Sequence, residues 1–444
     1  MKKDNGATEI ETARTHRETT SVSASSVSSA VESFGIERRT LLQALLALTP
    51  AMMATKLSAQ QSTTVAPQPY DSTVLPRGIR SRFVENINGI RFHVLEAGYE
   101  ADRRPLILML HGFPELAYSW RKVMVPVANA GYHVIAPDVR GYGRSGGADV
   151  KYDDDLRPFR TLNKIHDMVA LVAAFGYRNV AAVIGHDQGS PLAGWCALAR
   201  PDIFQSVTMM SAPFGGPPSV PFNTADGPTQ APPPPDTMDR DLAALNPPRK
   251  YYQRYYTTRE ANENLSHPPQ GVHDFVRAYY HMKSADWKQN HPGPLQGRTA
   301  TEWAKMPRYY VMDLNKGMAE TVAAEMPSPA EIAANKWLPD AELKVYSGEF
   351  GRTGFQGGLN GYRVGAVDSD SQTFAGLTIN VPAMFVGGKS DWGVYQTPGA
   401  VERLPTVCTK YKGTHLVDGA GHWVQQEQPA EVARLIIDFL RSNT

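Results

Sequence analysis

Apolar runs of strand length and apolar residues at helical spacing alternate along the chain from about residue 83. Residues 106–110 and 133–137 are apolar nearly throughout, as strands buried on both faces are, whereas residues 89–95 alternate between apolar and polar. Residues 162–175 carry apolar side chains at helical spacing. Because strands that alternate with helices form sheets covered on both faces, the pattern predicts an α/β fold with a mostly parallel sheet.

The alternation continues through a strand at 180–184, a helix at 191–199 and a strand at 206–210, and then it stops. Residues 215–235 are rich in proline and glycine and include four consecutive prolines, which do not occur inside a helix or a sheet. From there to about residue 375 the chain shows aromatic and helix-forming segments without a buried strand, which predicts a helical lid.

The strand pattern resumes beyond this region, with predicted strands at 381–386 and 411–417 and a final helix at 429–440. We therefore predict one α/β core that is interrupted by an inserted lid. The predicted parts are a core of residues 71–214 and 376–444 and a lid of residues 215–375.

The first 70 residues are rich in Ser, Thr and Ala and differ from the rest of the chain. The pair Arg38 and Arg39 precedes a short apolar stretch at 41–54, and Ala59 offers a small residue for cleavage. These features are typical of a twin-arginine signal peptide, and the stretch is shorter than the ~20 residues that span a membrane. We expect residues 1–70 to lie outside the fold and the mature protein to be periplasmic or extracellular, without a stable membrane span. A disordered tail on a cytoplasmic protein is the alternative.

The composition limits the possible partners. The 45 basic and 44 acidic residues give a net charge of +1, which does not suggest binding to nucleic acid or to an anionic membrane. Cys196 and Cys408 are too few for a disulfide framework and are expected to be unpaired thiols. A single disulfide bond between them is the alternative if the protein is exported. Histidines such as His273, His281 and His291 show no ligand pairing, so no metal and no cofactor are predicted.

Residues 185–189, Gly-His-Asp-Gln-Gly, directly follow the apolar run at 180–184. A strand that ends in glycine, any residue, nucleophile, any residue, glycine is the sequence pattern of a nucleophile elbow. Asp187 stands at the position where lipases and esterases carry serine. Since a carboxylate nucleophile attacks saturated carbon and leaves an alkyl ester, Asp187 favours epoxide opening or halide displacement over ester cleavage.

Two further strand ends supply the partners that Asp187 needs. Asp391 follows the predicted strand at 381–386, and His422 follows the one at 411–417. The chain order nucleophile, acid, histidine is that of α/β-hydrolases, whose strand ends meet at one edge of the sheet. We expect His422 to activate water against the ester and Asp391 to orient the imidazole.

The oxyanion that forms during ester hydrolysis needs preorganised donors. The backbone N–H groups of Phe113 and Gln188 are placed after strand ends where they can supply two. His111 and His186 are interpreted as structural residues that hold loops beside the site.

Three motifs in combination resemble the epoxide hydrolases of the α/β-hydrolase fold, over about residues 80–444. They are His-Gly-Phe-Pro at 111–114, the elbow at 185–189 and Gly-His-Trp at 421–423. The resemblance implies an oxyanion loop in which the bond between Phe113 and Pro114 is cis. Gln188 departs from the family pattern, where many members have Trp, so the pocket wall beside Asp187 is expected to be more polar.

The same resemblance implies two lid tyrosines that donate hydrogen bonds to the epoxide oxygen. Tyr362, in Gly-Leu-Asn-Gly-Tyr-Arg, matches the second, and Tyr252 matches the first. Tyr251 or Tyr255 could take the place of Tyr252, because all three lie in one tyrosine-rich stretch. Packing within the lid is the alternative role for these rings.

The combined prediction is a cofactor-independent epoxide hydrolase that converts a small apolar epoxide and water into a vicinal diol. A haloalkane or haloacetate dehalogenase would share the triad, but Gln188, Gly189 and Ser190 stand where its halide-binding Trp or Arg is expected. A non-catalytic small-molecule binding protein on the same scaffold is the third possibility.

Overall fold

The computed structural model describes residues 67–101, 103–220 and 235–443. The predicted leader therefore lies outside the described residues, apart from residues 67–70. Those four residues contact the core: the Tyr70 N–H donates to Ser81 Oγ at 2.8 Å, and the Pro67 carbonyl accepts from Arg91 Nη2 at 2.6 Å.

An eight-stranded sheet forms the centre of the molecule. Its first six strands are β1 (Ile79–Ile87), β2 (Ile90–Ala97), β3 (Leu106–Leu110), β4 (His133–Pro137), β5 (Ala182–His186) and β6 (Val207–Met210). The last two in the chain are β9 (Ile379–Gly388) and β10 (Cys408–Val417). The spatial order is β1-β2-β4-β3-β5-β6-β9-β10, and only β1 and β2 pair in antiparallel fashion with their neighbours. The predicted α/β class with a mostly parallel sheet is confirmed.

Helices cover the sheet, as the apolar character of its central strands requires. Every residue of β3 and β5 is buried, because both faces of these strands are packed. The helices that precede the lid are α1 (Arg121–Asn129), α2 (Thr161–Ala174) and α3 (Gly189–Ala199). Their bounds agree with the periodicity to within two residues where a helix was predicted.

Between β6 and β9, the described residues 211–220 and 235–378 form mainly helices. They are α4 (Met238–Ala243), α5 (Tyr252–Tyr256), α6 (Arg259–Ser266), α7 (Gly271–Lys283), α8 (Ala300–Trp303), α9 (Met318–Ala323), α10 (Pro329–Ala334), α11 (Asp340–Thr353) and α12 (Gln356–Arg363). A short antiparallel ribbon of β7 (Arg249–Tyr251) and β8 (Val311–Asp313) was not predicted. Strands of three residues are too short to show a period of two, so periodicity could not predict them.

The chain returns to the core through β9 and ends with three helices, α13 (Ala400–Val407), α14 (Val424–Glu427) and α15 (Pro429–Arg441). Cys196 on α3 and Cys408 at the start of β10 are buried free thiols. Within residues 67–101, 103–220 and 235–443, no helix is long and apolar enough to cross a membrane.

Candidate active site

Asp187 lies in the sharp turn between β5 and α3. Its φ is +50°, in the left-handed region that non-glycine residues seldom adopt. The flanking glycines are required by close backbone approach: a Cβ on Gly185 would overlap the backbone of Gly189, and a Cβ on Gly189 would overlap the backbone of Leu110. The sequence therefore folds here into a strained elbow that holds one carboxylate at the carboxyl edge of the sheet.

The His-Gly-Phe-Pro loop approaches this carboxylate from β3. The Phe113 N–H donates to Asp187 Oδ1 at 2.8 Å, and the Phe113–Pro114 peptide bond is cis. A Cβ on Gly112 would lie 2.6 Å from Asp187 Oδ1, so only glycine permits the approach. One oxygen of the carboxylate is thus fixed by a backbone donor. Gln188 precedes the first residue of α3, and its side-chain Oε1 accepts from the Tyr142 hydroxyl at 2.9 Å.

His422 connects the two predicted acids. Its Nδ1 lies 3.1 Å from Asp391 Oδ1, and its Nε2 lies 3.3 Å from Asp187 Oδ2. Asp391 also caps the short helical turn that follows it, by accepting from the Gly393 N–H at 2.7 Å. The structure therefore brings together Asp187, His422 and Asp391, the three residues that the sequence analysis selected, with His422 between the two acids.

Both carboxylates have a pKa below the ordinary range. Burial raises the pKa of Asp187, but the interactions with His422, Lys283 and His186 lower it by more. Burial also raises the pKa of Asp391, and the charges of His422 and Lys283 again outweigh this effect. Both acids are therefore ionised at neutral pH, as a nucleophile and an imidazole-orienting partner need to be.

Tyr252 begins α5, and Tyr362 lies near the end of α12. Their ring centroids are 6.2 Å apart, and the Tyr362 ring meets Phe113 edge-on at 5.5 Å. The Tyr252 hydroxyl contacts Gln396 Oε1 at 3.3 Å. The predicted lid tyrosines therefore lie together, and Tyr362 packs against the oxyanion loop.

Burial raises the pKa of both phenols well above the ordinary value of 10.0. A neighbouring tyrosine and the negative charge of Asp187 add to this effect, so both hydroxyls keep their protons at neutral pH. The two other candidates have further neighbours. The Tyr251 ring packs against Trp303, with ring centroids 4.5 Å apart, and edge-on against Tyr252 at 5.1 Å, whereas Tyr255 lies beneath the Lys250 ammonium at 4.4 Å.

His111 and His186 both hold loops. His111 Nε2 accepts from the Val139 N–H at 2.9 Å, which leaves Nδ1 to donate to the Gly112 carbonyl at 2.9 Å. Burial lowers the pKa of His111, consistent with a neutral ring. His186 Nε2 lies 2.7 Å from the His422 carbonyl oxygen and fixes the backbone of the catalytic-histidine segment.

Sequence reasoning missed Glu115, which lies fully buried directly after Pro114. One oxygen, Oε2, lies 2.6 Å from His186 Nδ1 and accepts from the Gly112 N–H at 3.1 Å. The other, Oε1, accepts from the side-chain amides of Gln425 and Gln426. Glu115 thus joins the oxyanion loop, the elbow and the histidine segment. A charged residue that follows an apolar strand and a tight loop was the only available signal.

Lys283 was also missed. It is a buried lysine at the end of α7, and its carbonyl oxygen accepts from the His422 N–H at 2.8 Å. Four aromatic rings surround its ammonium group at 5.3–5.8 Å, namely those of Tyr279, Tyr309, Tyr310 and Trp423. These rings surround the positive charge of Lys283, and that charge acts on the carboxylates of Asp187 and Asp391.

A cavity of about 460 Å³ lies against Tyr362 on the lid side. Tyr251, Gln253, Trp303 and Thr397 also line it. Its size falls within the range of ligand-binding clefts, which is about 300–1,000 Å³.

Comparisons with known proteins agree with this fold. A family model of the alpha/beta hydrolase fold matches residues 105–429. Epoxide hydrolase B of Mycobacterium tuberculosis is 32% identical over 382 residues, which cover 80% of this chain and 96% of that protein. An epoxide hydrolase of Caballeronia sordidicola is 31% identical over 357 residues, covering 80% of this chain and 92% of that protein.

Solved structures give the same result. An epoxide hydrolase from an endophytic Streptomyces matches with a TM-score of 0.65 and 30% identity over 83% of this chain and 96% of its own. Epoxide hydrolase A from Mycobacterium thermoresistibile matches with a TM-score of 0.61 and 31% identity over 82% and 99%. This chain has the α/β-hydrolase fold and belongs, within that fold, to the epoxide hydrolase family of enzymes.

Proposed function

We propose that the protein hydrolyses an epoxide to a vicinal diol through a covalent ester on Asp187. One observation carries the proposal: the Asp187 carboxylate has Oδ1 bonded to the Phe113 N–H and Oδ2 next to His422. The ring of Tyr362 packs against Phe113 of the same loop, the ring of Tyr252 lies beside Tyr362, and both phenols are protonated.

In the first step Asp187 Oδ2 attacks one carbon of the epoxide, and the bond from that carbon to the ring oxygen breaks. The ring oxygen takes a proton from Tyr252 or Tyr362, while the other tyrosine donates a hydrogen bond to it. An alkoxide is far more basic than a phenol, whose pKa is about 10, so the transfer is downhill. Because burial and, to a smaller extent, Asp187 raise the pKa of both phenols, their protons are retained until the alkoxide forms.

In the second step His422 removes a proton from a water molecule, and the resulting hydroxide attacks Cγ of the Asp187 ester. The negative charge that develops on Oδ1 is stabilised by the Phe113 N–H, which already binds that atom. The Gln188 N–H is the second donor, and each of the two donors contributes about 3 kcal/mol of transition-state stabilisation. The tetrahedral intermediate then collapses as its bond from Cγ to Oδ2 breaks. The leaving alkoxide, which carries Oδ2, takes the proton of the newly added hydroxyl and departs as the diol, so that Asp187 is again a carboxylate. Asp391 stabilises the imidazolium until His422 returns its proton to the tyrosinate.

The walls of the site favour an apolar substrate. Phe113, Tyr252, Tyr256 and Tyr362 contact one another edge-on or tilted and present ring surface around the carboxylate. Gln188 adds an amide to this surface through its bond to Tyr142. We infer a small apolar epoxide with room for one polar substituent near Gln188.

The test is a single turnover with enzyme in excess over styrene oxide, in water enriched in the heavy oxygen isotope. The mechanism takes the first diol oxygen from Asp187, so the first product carries ordinary oxygen and the label enters the peptide that contains Asp187. Multiple turnovers, the matched control, then yield labelled diol. A labelled diol in the first turnover would indicate direct attack by water and would contradict the ester.

We also propose that the enzyme acts outside the cytoplasm. The support is the Arg38 and Arg39 pair with its following apolar stretch at 41–54. Substitution of both arginines by lysine should keep the protein in the cytoplasm of a host with a twin-arginine pathway. Unchanged export of the twin-lysine variant would contradict this proposal.

A further inference from the structure

A second cavity, of about 220 Å³, lies on the lid between α7 and the segment at 327–338. Arg277, Tyr280 and His281 line it from one face of α7, where residues three and four apart are neighbours. The volume is several times the ~30 Å³ that one water molecule occupies in the liquid, so a small organic molecule fits.

Arg277 brings hydrogen-bond donors without partners to this cavity. Arg277 is only 3% exposed; its Nη1 donates to the Leu338 carbonyl at 2.8 Å, and its Nη2 lies 3.5 Å from Asp340 Oδ1. Among the residues that the structure describes, Arg277 Nε and Nη2 have no hydrogen-bond partner. A buried guanidinium therefore presents two unused donor atoms.

The acidic residues around the cavity already have donors. Asp286 Oδ2 accepts from Trp337 Nε1 at 2.8 Å and from Asn335 Nδ2 at 3.3 Å. Glu331 Oε2 accepts from the Ser328 N–H at 2.8 Å in a capping box. Asp340 thus pairs with Arg277 Nη2 only at 3.5 Å, and the two carboxylates that line the cavity accept hydrogen bonds from other groups.

Part of the remaining wall is apolar. Tyr280 and Trp337 lie nearly parallel, with ring centroids 6.4 Å apart, and Ile332, Pro327 and Leu338 add apolar surface. His281, Lys288 and Asn335 add polar side chains. A ligand that suits these walls has one carboxylate for the guanidinium and a short, flat apolar body for the rings.

We propose that this lid cavity is a second binding site, distinct from the Asp187 site, for small carboxylates with an aromatic or alkyl body. The carboxylate forms charge-assisted hydrogen bonds with Arg277 Nε and Nη2, in competition with Asp340 for the latter. The apolar body lies between Trp337 and Ile332.

The probe is phenylacetate, measured by isothermal titration calorimetry on the full protein, with phenylacetamide as the uncharged control of the same shape. Two variants address the cavity alone: Arg277→Gln removes the charge, and Ala334→Trp fills the space from an exposed position on α10. Diol production by each variant reports that its fold and its Asp187 site are intact.

We expect phenylacetate to bind the wild-type protein at least tenfold more tightly than it binds either variant and at least tenfold more tightly than phenylacetamide binds. If Arg277→Gln does not fold, the Ala334→Trp comparison decides alone. Equal binding of phenylacetate to wild type and Ala334→Trp would assign it to another place and overturn the proposal. An absence of binding to the wild type at millimolar concentration, or equal binding of the amide, would overturn it as well.

Discussion

The Phe113 N–H donates to Asp187 Oδ1 at 2.8 Å, and this bond distinguishes the two oxygens of the carboxylate. Oδ2, the other oxygen, lies 3.3 Å from His422 Nε2. A backbone donor that binds Oδ1 before the reaction is already in place when the same atom becomes the ester carbonyl and then the oxyanion. The protein therefore needs no rearrangement of the loop between the two steps of the proposed mechanism.

The approach of this loop makes Gly112 a sensitive position. A Cβ at residue 112 would lie 2.6 Å from Asp187 Oδ1, so Gly112→Ala should displace the Phe113 donor. We expect kcat/KM to fall by about 100-fold or more, the effect of losing one oxyanion-hole donor. Gly348→Ala is the control. Gly348 lies in the middle of α11, and a Cβ added there would meet no described atom of another segment within 4 Å. That variant should retain full activity, and an unaffected Gly112→Ala enzyme would contradict the assigned role of the loop.

The lid tyrosines should act on ester formation rather than on ester hydrolysis. Tyr252→Phe and Tyr362→Phe each remove one phenolic proton next to the epoxide oxygen, and we expect each to slow ester formation by about 10-fold to 100-fold. The double variant should be nearly inactive. Stopped-flow measurement of ester formation under single-turnover conditions checks this. Tyr255→Phe is the matched control from the same helix, because its ring packs against Lys250. A loss in Tyr255→Phe equal to that in Tyr252→Phe would reassign the acid.

Glu115 and His186 should stabilise the fold as a buried ion pair. Burial raises the pKa of Glu115, but the interaction with His186 lowers it by more, so the net pKa is lowered. Burial lowers the pKa of His186, but the interaction with Glu115 raises it by more, so the net pKa is raised. An acid whose pKa is lowered by folding stabilises the protein at pH values above its pKa in the unfolded state, and this stabilisation is lost as pH falls. A histidine whose pKa is raised by folding stabilises the protein at pH values below its pKa in the unfolded state, and this stabilisation is lost as pH rises. The contribution is therefore greatest between the two unfolded values, 4.5 and 6.5.

Glu115→Gln should accordingly lower the free energy of unfolding by about 3 kcal/mol near pH 6, the typical effect of breaking a buried pair. The difference from wild type should shrink at low and at high pH. Glu431→Gln, on α15, serves as the control, because its side chain is 42% exposed and pairs with Arg434 at the surface. Urea unfolding across pH measures both, and a difference that does not depend on pH would contradict the ion pair.

Lys283 should act on the site through its charge. Since it lowers the pKa of Asp187 and Asp391, Lys283→Met should raise both values and move the acid limb of ester formation to higher pH. A methionine suits the aromatic cage, and Lys283→Arg keeps the charge and should restore the wild-type profile. Lys305→Met, which removes an exposed lysine paired with Glu302, is the control. An unchanged acid limb in Lys283→Met would rule out an electrostatic role.

The parts of this structure that the sequence predicted are those that local pattern determines. The buried strand at 106–110, the glycines around Asp187 and the order of the three triad residues each leave a signature within a few neighbouring positions. Strand ends in a parallel sheet share one edge, which is why separate motifs could be placed in one site.

The rest depends on contacts between distant segments. The role of Glu115 depends on its contacts with His186, 71 positions away, and with Gln425 and Gln426. The burial of Lys283 depends on rings from three separate segments, which no local pattern indicates. Periodicity likewise could not choose among the neighbouring tyrosines of the lid; tertiary packing places Tyr252 beside Tyr362.

The most direct test of the central claim is the intact mass of the His422→Gln protein after exposure to styrene oxide. This variant keeps Asp187 and both tyrosines but lacks the base, so the ester should form once and persist. The account predicts one adduct with the mass of the whole epoxide, mapped by peptide analysis to Asp187 and absent from the His422→Gln, Asp187→Asn double variant. The same protein exposed to chloroacetate should stay unmodified. An adduct of the haloacid without its hydrogen halide, or turnover of the epoxide with no adduct on Asp187, would contradict the account.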